Sequence, residues 1–250
     1  MISRTNIINY LVKSGRKSVS QGRRNINFTS DNGINQVMND LEHHAHMFVL
    51  GMQMDRGIDA ETAWSIPYRV AEDLGLNGFD FKHLREPSIE DLVKVFITNQ
   101  LHRYPAKMAR IFHNSLNHID KFYDGNAKQI WSDRPSSATL IRRFLQFDGM
   151  GLRLASRAAN KLYRDFKVDL SDASSLDITP EHYIRRVFMR AGFIGRNASD
   201  EELIYCAREL HLRYPAIFDK PCEDIAETVC KLENPICHQC PLEASCMKFF

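Results

Sequence analysis

Six cysteines lie in the C-terminal part of this 250-residue chain, all of them after residue 205. Four of the six follow the spacing C-x6-C-x2-C-x5-C, and these are Cys230, Cys237, Cys240 and Cys246. Thiolates at such short separations can fold one loop around a metal centre, because each sulfur has to reach within about 2.3 Å of a metal. Cys206 and Cys222 lie outside the pattern. The segment therefore predicts a metal site near the C-terminus.

The identity of the metal stays open on coordination chemistry alone. The sequence opens without a secretion signal, which argues against a disulfide framework. Four thiolates suit a single zinc ion and an iron–sulfur cluster alike. With a zinc ion, the chain would be a zinc-stapled nucleic-acid-binding protein. With an iron–sulfur cluster, the protein would be brown and would absorb visible light.

The rest of the sequence has the periodicity of helices. Apolar residues recur every three to four positions between residues 34 and 49, the spacing of one helix face. Ser88 followed by Asp91 has the pattern of a helix start. Thr179-Pro180-Glu181 reads as an N-cap, a first-turn proline and a first-turn acid, and Gly192 is expected to end that helix. No pair of strands is evident, so the predicted fold class is all-α.

Composition and charge narrow the classes of function. Apolar residues make up 44% and charged residues 26% of the chain, as in ordinary soluble globular proteins. No apolar run approaches the length of a membrane span, so we expect no membrane partner and a cytoplasmic, nucleoid-associated protein. The net charge is only +2, but residues 1–30 carry six basic and no acidic residues, and residues 31–100 carry twelve acidic against five basic. Segregated charge of this kind suits a polyanion bound on one side.

A glycine-containing turn lies between two predicted helices. Residues 147–151 read Phe-Asp-Gly-Met-Gly, after a helix ending near Leu145 and before a helix starting near Leu152. Gly149 and Gly151 allow a tight turn whose backbone N–H groups point outward, and the following helix N-terminus adds positive potential. Such a turn predicts a phosphate site that is blind to base sequence. Arg153 and Arg157 follow this turn and are expected to contact the phosphate backbone of the same nucleic acid, which would be DNA.

The cysteine spacing and this hairpin together resemble the endonuclease III branch of the helix–hairpin–helix DNA glycosylases. The resemblance implies a two-lobed, all-α fold in which the four patterned cysteines hold a structural [4Fe–4S] cluster. It implies a helical bundle over residues 34–165 that ends in the hairpin. The second lobe would combine residues 1–33 with residues 166–250 and carry the cluster loop. The cluster is expected to staple the loop rather than to remove the base.

A third point of resemblance lies at residues 48–53, which are similar to a helix end in this family where a glutamine projects into the duplex. An enzyme that acts on a base must extrude it, and another group must fill the vacated stack. The resemblance gives that part to Gln53.

The catalytic residues of the family are only partly matched. Members that also cut the backbone carry a lysine where this chain has Arg153, and a guanidinium is no nucleophile because it stays protonated. The carboxylate that activates water is an aspartate in the family, and counting back from Arg186-Val187 puts Glu181 at its position. Asp177 is the alternative if Thr179-Pro180 is an insertion, and Asp172 is more distant.

The resemblance therefore implies a monofunctional DNA N-glycosylase of base excision repair. It would hydrolyse the N-glycosidic bond of a damaged or modified base in double-stranded DNA, leave an abasic site and act as a monomer. The alternative is a catalytically inactive iron–sulfur DNA-binding protein that recognises lesions or DNA structure. Arg153 and the glutamate in place of an aspartate both favour that alternative.

Overall fold

The structure, a computed structural model, describes residues 2–249 and is built of helices. Its α-helices are α1 (Ile2–Ser20), α2 (Asn32–Asn39), α3 (Ala45–Met54), α4 (Ala60–Asp73), α5 (Phe81–Arg85), α6 (Ile89–Thr98), α7 (Pro105–Tyr123), α8 (Ser137–Leu145), α9 (Leu152–Arg164), α10 (His182–Arg190), α11 (Asp200–Leu210) and α12 (Asp219–Thr228). Short 3₁₀ helices span Ala127–Ile130, Pro215–Phe218 and Cys237–Gln239. Residues 2–249 contain no β-strand, which confirms the all-α prediction.

The chain forms two compact units. The terminal unit comprises Met1–Arg23, Ser136–Ile141 and Ala159–Phe250, and the central unit comprises Arg24–Pro135 and Arg142–Ala158. The division predicted from the sequence placed the two main boundaries at residues 33/34 and 165/166, later along the chain than those of the structure. It also assigned residues 136–141 to the helical bundle. None of the helices described within residues 2–249 is long and apolar enough to cross a membrane.

The core of the central unit is built around α3. All ten residues of this helix are buried, because α2, α4 and α7 pack against it. The rings of Phe48 and Trp64 lie 5.6 Å apart at the centre of that core. Ser88 and Asp91 form the capping box predicted at the start of α6. The end of α3 thus stands on a rigid core, and Gln53 belongs to that end.

The terminal unit packs α1 against α12 and the 3₁₀ helix Pro215–Phe218, and α10 against α12. Ile7 and Leu11 of α1 are at most 1% exposed in this core, as is Phe188 of α10. The unit therefore has its own apolar interior.

One predicted helix boundary was wrong. The helix expected to open at Thr179 begins at His182, with Glu181 in the N-cap position. Thr179 does not cap it, because its hydroxyl is buried and donates to Asp219 instead, 2.6 Å away. Residues 177–180 consequently run into α10 without helical structure. The other end of the helix is as predicted, since α10 stops at Arg190 and Gly192 follows with φ at +80°.

Candidate functional site

The hairpin joins α8 to α9 in a turn that Gly149 makes possible. Gly149 has φ at +73°, in the left-handed region that favours glycine. A Cβ there would lie 2.8 Å from Arg56 Nη1 and 2.9 Å from Ile111 Cδ1, so the turn also approaches its neighbours too closely for a side chain. A Cβ on Gly151 would instead meet no atom within 4 Å. The second glycine thus faces open space beside the N-terminus of α9, where a phosphate could approach.

Gln53, in the last turn of α3, contacts this hairpin directly. Its side-chain Nε2 donates to the carbonyl oxygen of Asp148 at 3.0 Å, and the residue is only 1% exposed. Asn114 holds the same turn by donating to Asp148 Oδ2 at 3.0 Å. Among the residues that the structure describes, Gln53 Oε1 is buried without a hydrogen-bond partner. In this state the side chain braces the turn.

Arg153 and Arg157 both contact Asp55, the residue after α3. Arg153 Nη2 donates to the Asp55 carbonyl at 2.9 Å, and Arg157 Nη1 lies 2.5 Å from Asp55 Oδ2. The Asp55 side chain is 10% exposed, so this ion pair is well shielded. Every DNA-binding residue expected from the sequence therefore lies in the central unit, gathered around the end of α3 and the hairpin.

The three carboxylates considered from the sequence differ sharply in environment. Asp177 is bound by Arg208 of α11 through two hydrogen bonds, Nε to Oδ1 at 2.6 Å and Nη2 to Oδ2 at 2.7 Å. Asp172 accepts from the hydroxyls of Ser137 and Ser174, and the Ser137 hydrogen bond holds the pKa of that carboxyl below its usual range. Glu181 is 6% exposed at the N-cap of α10, and its carboxylate makes no capping hydrogen bond. The helix dipole favours an anion at that position.

A buried carboxylate that the sequence did not suggest lies beside this segment. Asp219, the first residue of α12, accepts the backbone N–H of Thr179 at 3.0 Å and its hydroxyl at 2.6 Å. It also accepts from Asn160 Nδ2 of α9 at 3.0 Å. Burial raises the pKa of Asp219 to about 6, against these hydrogen bonds, which lower it. Asp219 and Asn160 belong to ordinary amphipathic helices, and neither residue is part of a sequence motif that would have indicated its role.

The four patterned cysteines line one small cavity in the terminal unit, which is what a shared metal centre requires. Arg190 of α10 reaches the same cavity, where its Nη1 lies 3.4 Å from Cys230 Sγ and 2.6 Å from the Lys231 carbonyl oxygen. Burial, and then the charge of neighbouring cysteines, raises the pKa of Cys240 and of Cys246. Across residues 2–249, no three His, Cys, Asp or Glu side chains converge closely enough to hold one metal ion.

No protein-family model matches this chain, and no curated protein sequence matches it. Solved structures do. A non-covalent endonuclease III–DNA complex matches with a TM-score of 0.63 and 14% identity over 99% of this chain and 97% of that one. A trapped endonuclease III–DNA covalent intermediate matches at 0.61 and 14% over the same shares, and a thermostable thymine-DNA glycosylase at 0.61 and 13% over 98% and 95%. The chain therefore has the helix–hairpin–helix fold of these DNA glycosylases, as the hairpin and the cysteine spacing predicted.

Proposed function

We propose that this protein is a DNA glycosylase that hydrolyses the N-glycosidic bond of a damaged or modified base in duplex DNA. The observation that carries the proposal is Glu181, a buried carboxylate at the N-cap of α10. It stands where the glycosylase resemblance puts the catalytic carboxylate, in a chain that matches endonuclease III over nearly its whole length. The endonuclease III neighbours are DNA complexes, which supports DNA as the partner.

Glu181 would act as the base toward a water molecule. As the bond from the sugar anomeric carbon to the base breaks, the base leaves with the bonding electrons and positive charge builds on the sugar. The carboxylate stabilises that charge and takes a proton from the water whose oxygen bonds to the carbon. Asp177 is the second candidate, and both of its oxygens are engaged by Arg208. The proton taken from the water passes to the departed base, so the products are the free base and an abasic site.

We do not expect this protein to cut the DNA backbone through attack of a lysine amine on the anomeric carbon. Arg153 holds the lysine position of the resemblance, and its guanidinium donates to the Asp55 carbonyl. A guanidinium has no free electron pair for the anomeric carbon at neutral pH. The reaction would therefore end at the abasic site.

The hairpin and its neighbours would hold the DNA. The backbone N–H groups around Gly149 and Gly151 and the start of α9 suit a phosphate, while Arg153 and Arg157 add positive charge. For Gln53 to fill the space left by an extruded base, its side chain must exchange the hydrogen bond to Asp148 for contacts inside the duplex.

The cysteine loop fits a [4Fe–4S] cluster. All four thiols line one cavity, as four thiolates that share one cluster require. Cys230, Cys237, Cys240 and Cys246 would be the ligands. A cluster bound there would tie the C-terminal loop to α10 without taking part in base removal.

The first experiment uses duplexes that each hold one lesion, incubated with the protein and then treated with hot alkali in one half of each sample. Strand breaks only after alkali are expected for hydrolysis to an abasic site. Glu181→Gln should then lower the single-turnover rate by about 10²- to 10⁴-fold, the usual contribution of a general base. Asp177→Asn is the comparison variant, and a smaller loss is expected from it because it removes only the pairing with Arg208.

The outcomes separate the two functions under consideration. A large loss in Asp177→Asn with little loss in Glu181→Gln would move the catalytic part to Asp177. Tight lesion binding without base release across a broad panel would instead favour the inactive DNA-binding protein. Arg153 and Glu181 are compatible with that function, because both depart from the catalytic pattern of the family.

A further inference from the structure

The segment that carries both catalytic candidates, residues 176–181, is fixed by side chains from three other elements. Asn160 of α9 donates to the carbonyl oxygen of Asp177 at 3.0 Å. Asp219 of α12 accepts both donors of Thr179, and Arg208 of α11 binds the Asp177 carboxylate. All of these contacts lie within the terminal unit.

Asp219 holds this segment with a carboxylate that is removed from water. The residue is 6% exposed, and a buried carboxylate costs free energy that hydrogen bonds must offset. Thr179 supplies two donors to this carboxylate, its N–H and its hydroxyl, and a third donor, Asn160 Nδ2, is also within reach of Thr179 Oγ1 at 3.2 Å. The network is therefore directed at one residue, which stands two positions before Glu181.

The backbone carries this constraint forward to Glu181. The Glu181 N–H donates to the Thr179 carbonyl oxygen at 2.7 Å, a tight turn around the buried Pro180. Proline fixes φ between the two residues, so little freedom remains between the anchored threonine and the carboxylate. Displacement of Thr179 would be transmitted to the start of α10.

We propose that Asp219, Asn160 and Thr179 form a positioning network that sets the place of Glu181 for base removal. The proposal rests on the function proposed above, because it gives the network a catalytic purpose. A displacement of about 1 Å at a reacting group can cost about 10²-fold in rate, which sets the size of the expected effect.

The test removes one hydroxyl. Thr179→Val keeps the shape of the side chain and deletes the donor to Asp219, and Thr179→Ser restores a hydroxyl. Thr29→Val is the matched control, because Thr29 is also buried and its hydroxyl donates to a backbone oxygen, that of Asp31, in the central unit. Each variant is assayed for single-turnover base release, for the Kd of the lesion duplex and for hydrogen exchange at the amide of Glu181.

Thr179→Val should lower the rate by about 10²-fold with little change in Kd, and Thr179→Ser should recover most of it. Exchange at Glu181 should accelerate in Thr179→Val only. Equal rates in Thr179→Val and Thr29→Val would overturn the proposal while leaving the glycosylase assignment intact. Unchanged exchange at Glu181 would overturn it whether or not base release is observed, whereas a wild type that releases no base from any duplex would overturn the glycosylase assignment first.

Discussion

At the scale of single residues, Arg153 would decide which reaction the proposed glycosylase performs. It is the second residue of α9, just after the hairpin, and its guanidinium donates to the carbonyl oxygen of Asp55. An amine at this position could attack the anomeric carbon of an abasic site, whereas a guanidinium cannot. A single substitution should therefore add a reaction to the protein.

Arg153→Lys should form a Schiff base with abasic DNA, the amine nitrogen bonding to the anomeric carbon with loss of water. Borohydride reduces that imine and should trap a covalent protein–DNA species in the variant. In the wild type, the amount trapped should stay at background level. Arg157→Lys makes the same change one turn later and should trap none. If Arg153→Lys binds abasic DNA as the wild type does and still gives no covalent species, Arg153 does not hold the lysine position.

At the scale of elements, the two glycines of the hairpin have different duties. Gly149 is required by the turn itself, because φ is positive and the space beside its Cα is filled by Arg56 and Ile111. Gly151 has open space beside it, so it is not required by the fold in the same way.

Gly149→Ala should lower the free energy of unfolding by about 1–3 kcal/mol, from the left-handed backbone and the crowded Cβ together. Gly151→Ala should leave stability within about 0.5 kcal/mol of the wild type but weaken DNA binding, because the methyl group stands where a phosphate would approach. Urea titration and fluorescence anisotropy with a labelled duplex measure the two effects. Equal loss of stability in both variants would contradict this division.

The cysteine loop is the second element with a distinct chemistry. Cys237→Ser should abolish the visible absorbance and bound iron expected of the wild type, because three thiolates hold the cluster poorly. Cys206→Ser is the control, since Cys206 is buried outside the pattern. A colourless wild type that contains one zinc ion per chain would show that the zinc interpretation is right.

At the scale of the whole molecule, Asp219 links stability to pH. Its folded pKa of about 6 lies above the ordinary 3.8, so the folded protein binds this proton more tightly than the unfolded chain does. The stability that the group contributes is therefore greatest below pH 4 and is lost as the pH rises toward 6. The difference corresponds to about 3 kcal/mol.

Asp219→Asn cannot ionise at this position and isolates the effect. The wild type should lose about 3 kcal/mol of stability relative to the variant between about pH 4 and pH 6.5, with a plateau above. Urea unfolding of both proteins across this range gives the comparison. Arg164 also faces Asp219 and stays charged throughout, so it does not contribute to the slope. A difference that is constant with pH would mean that Asp219 titrates near its ordinary value in the fold.

The features that the sequence determined by itself are local ones. Helical periodicity, the hairpin glycines, the missing lysine and the spacing of four cysteines all lie within short stretches, because helix faces, turn geometry and thiolate reach depend on near neighbours. The periodicity predicted an all-α fold, and the family resemblance carried by the hairpin and the cysteine spacing implied the helix–hairpin–helix fold. The start of α10 was misplaced because a short-range cap signal at Thr179 lost to a partner forty residues away.

Other features depend on contacts between residues far apart in the chain, and no short pattern encodes them. The hydrogen bond from Gln53 to the hairpin spans 95 positions, and the pairing of Asp177 with Arg208 spans 31. Asp219 is one more acid in an amphipathic helix until folding removes it from water and surrounds it with donors from α9 and the segment before α10. Burial and the choice of partner are properties of the assembled core, and they pair Asp177 with Arg208 and leave Glu181 buried at the start of α10.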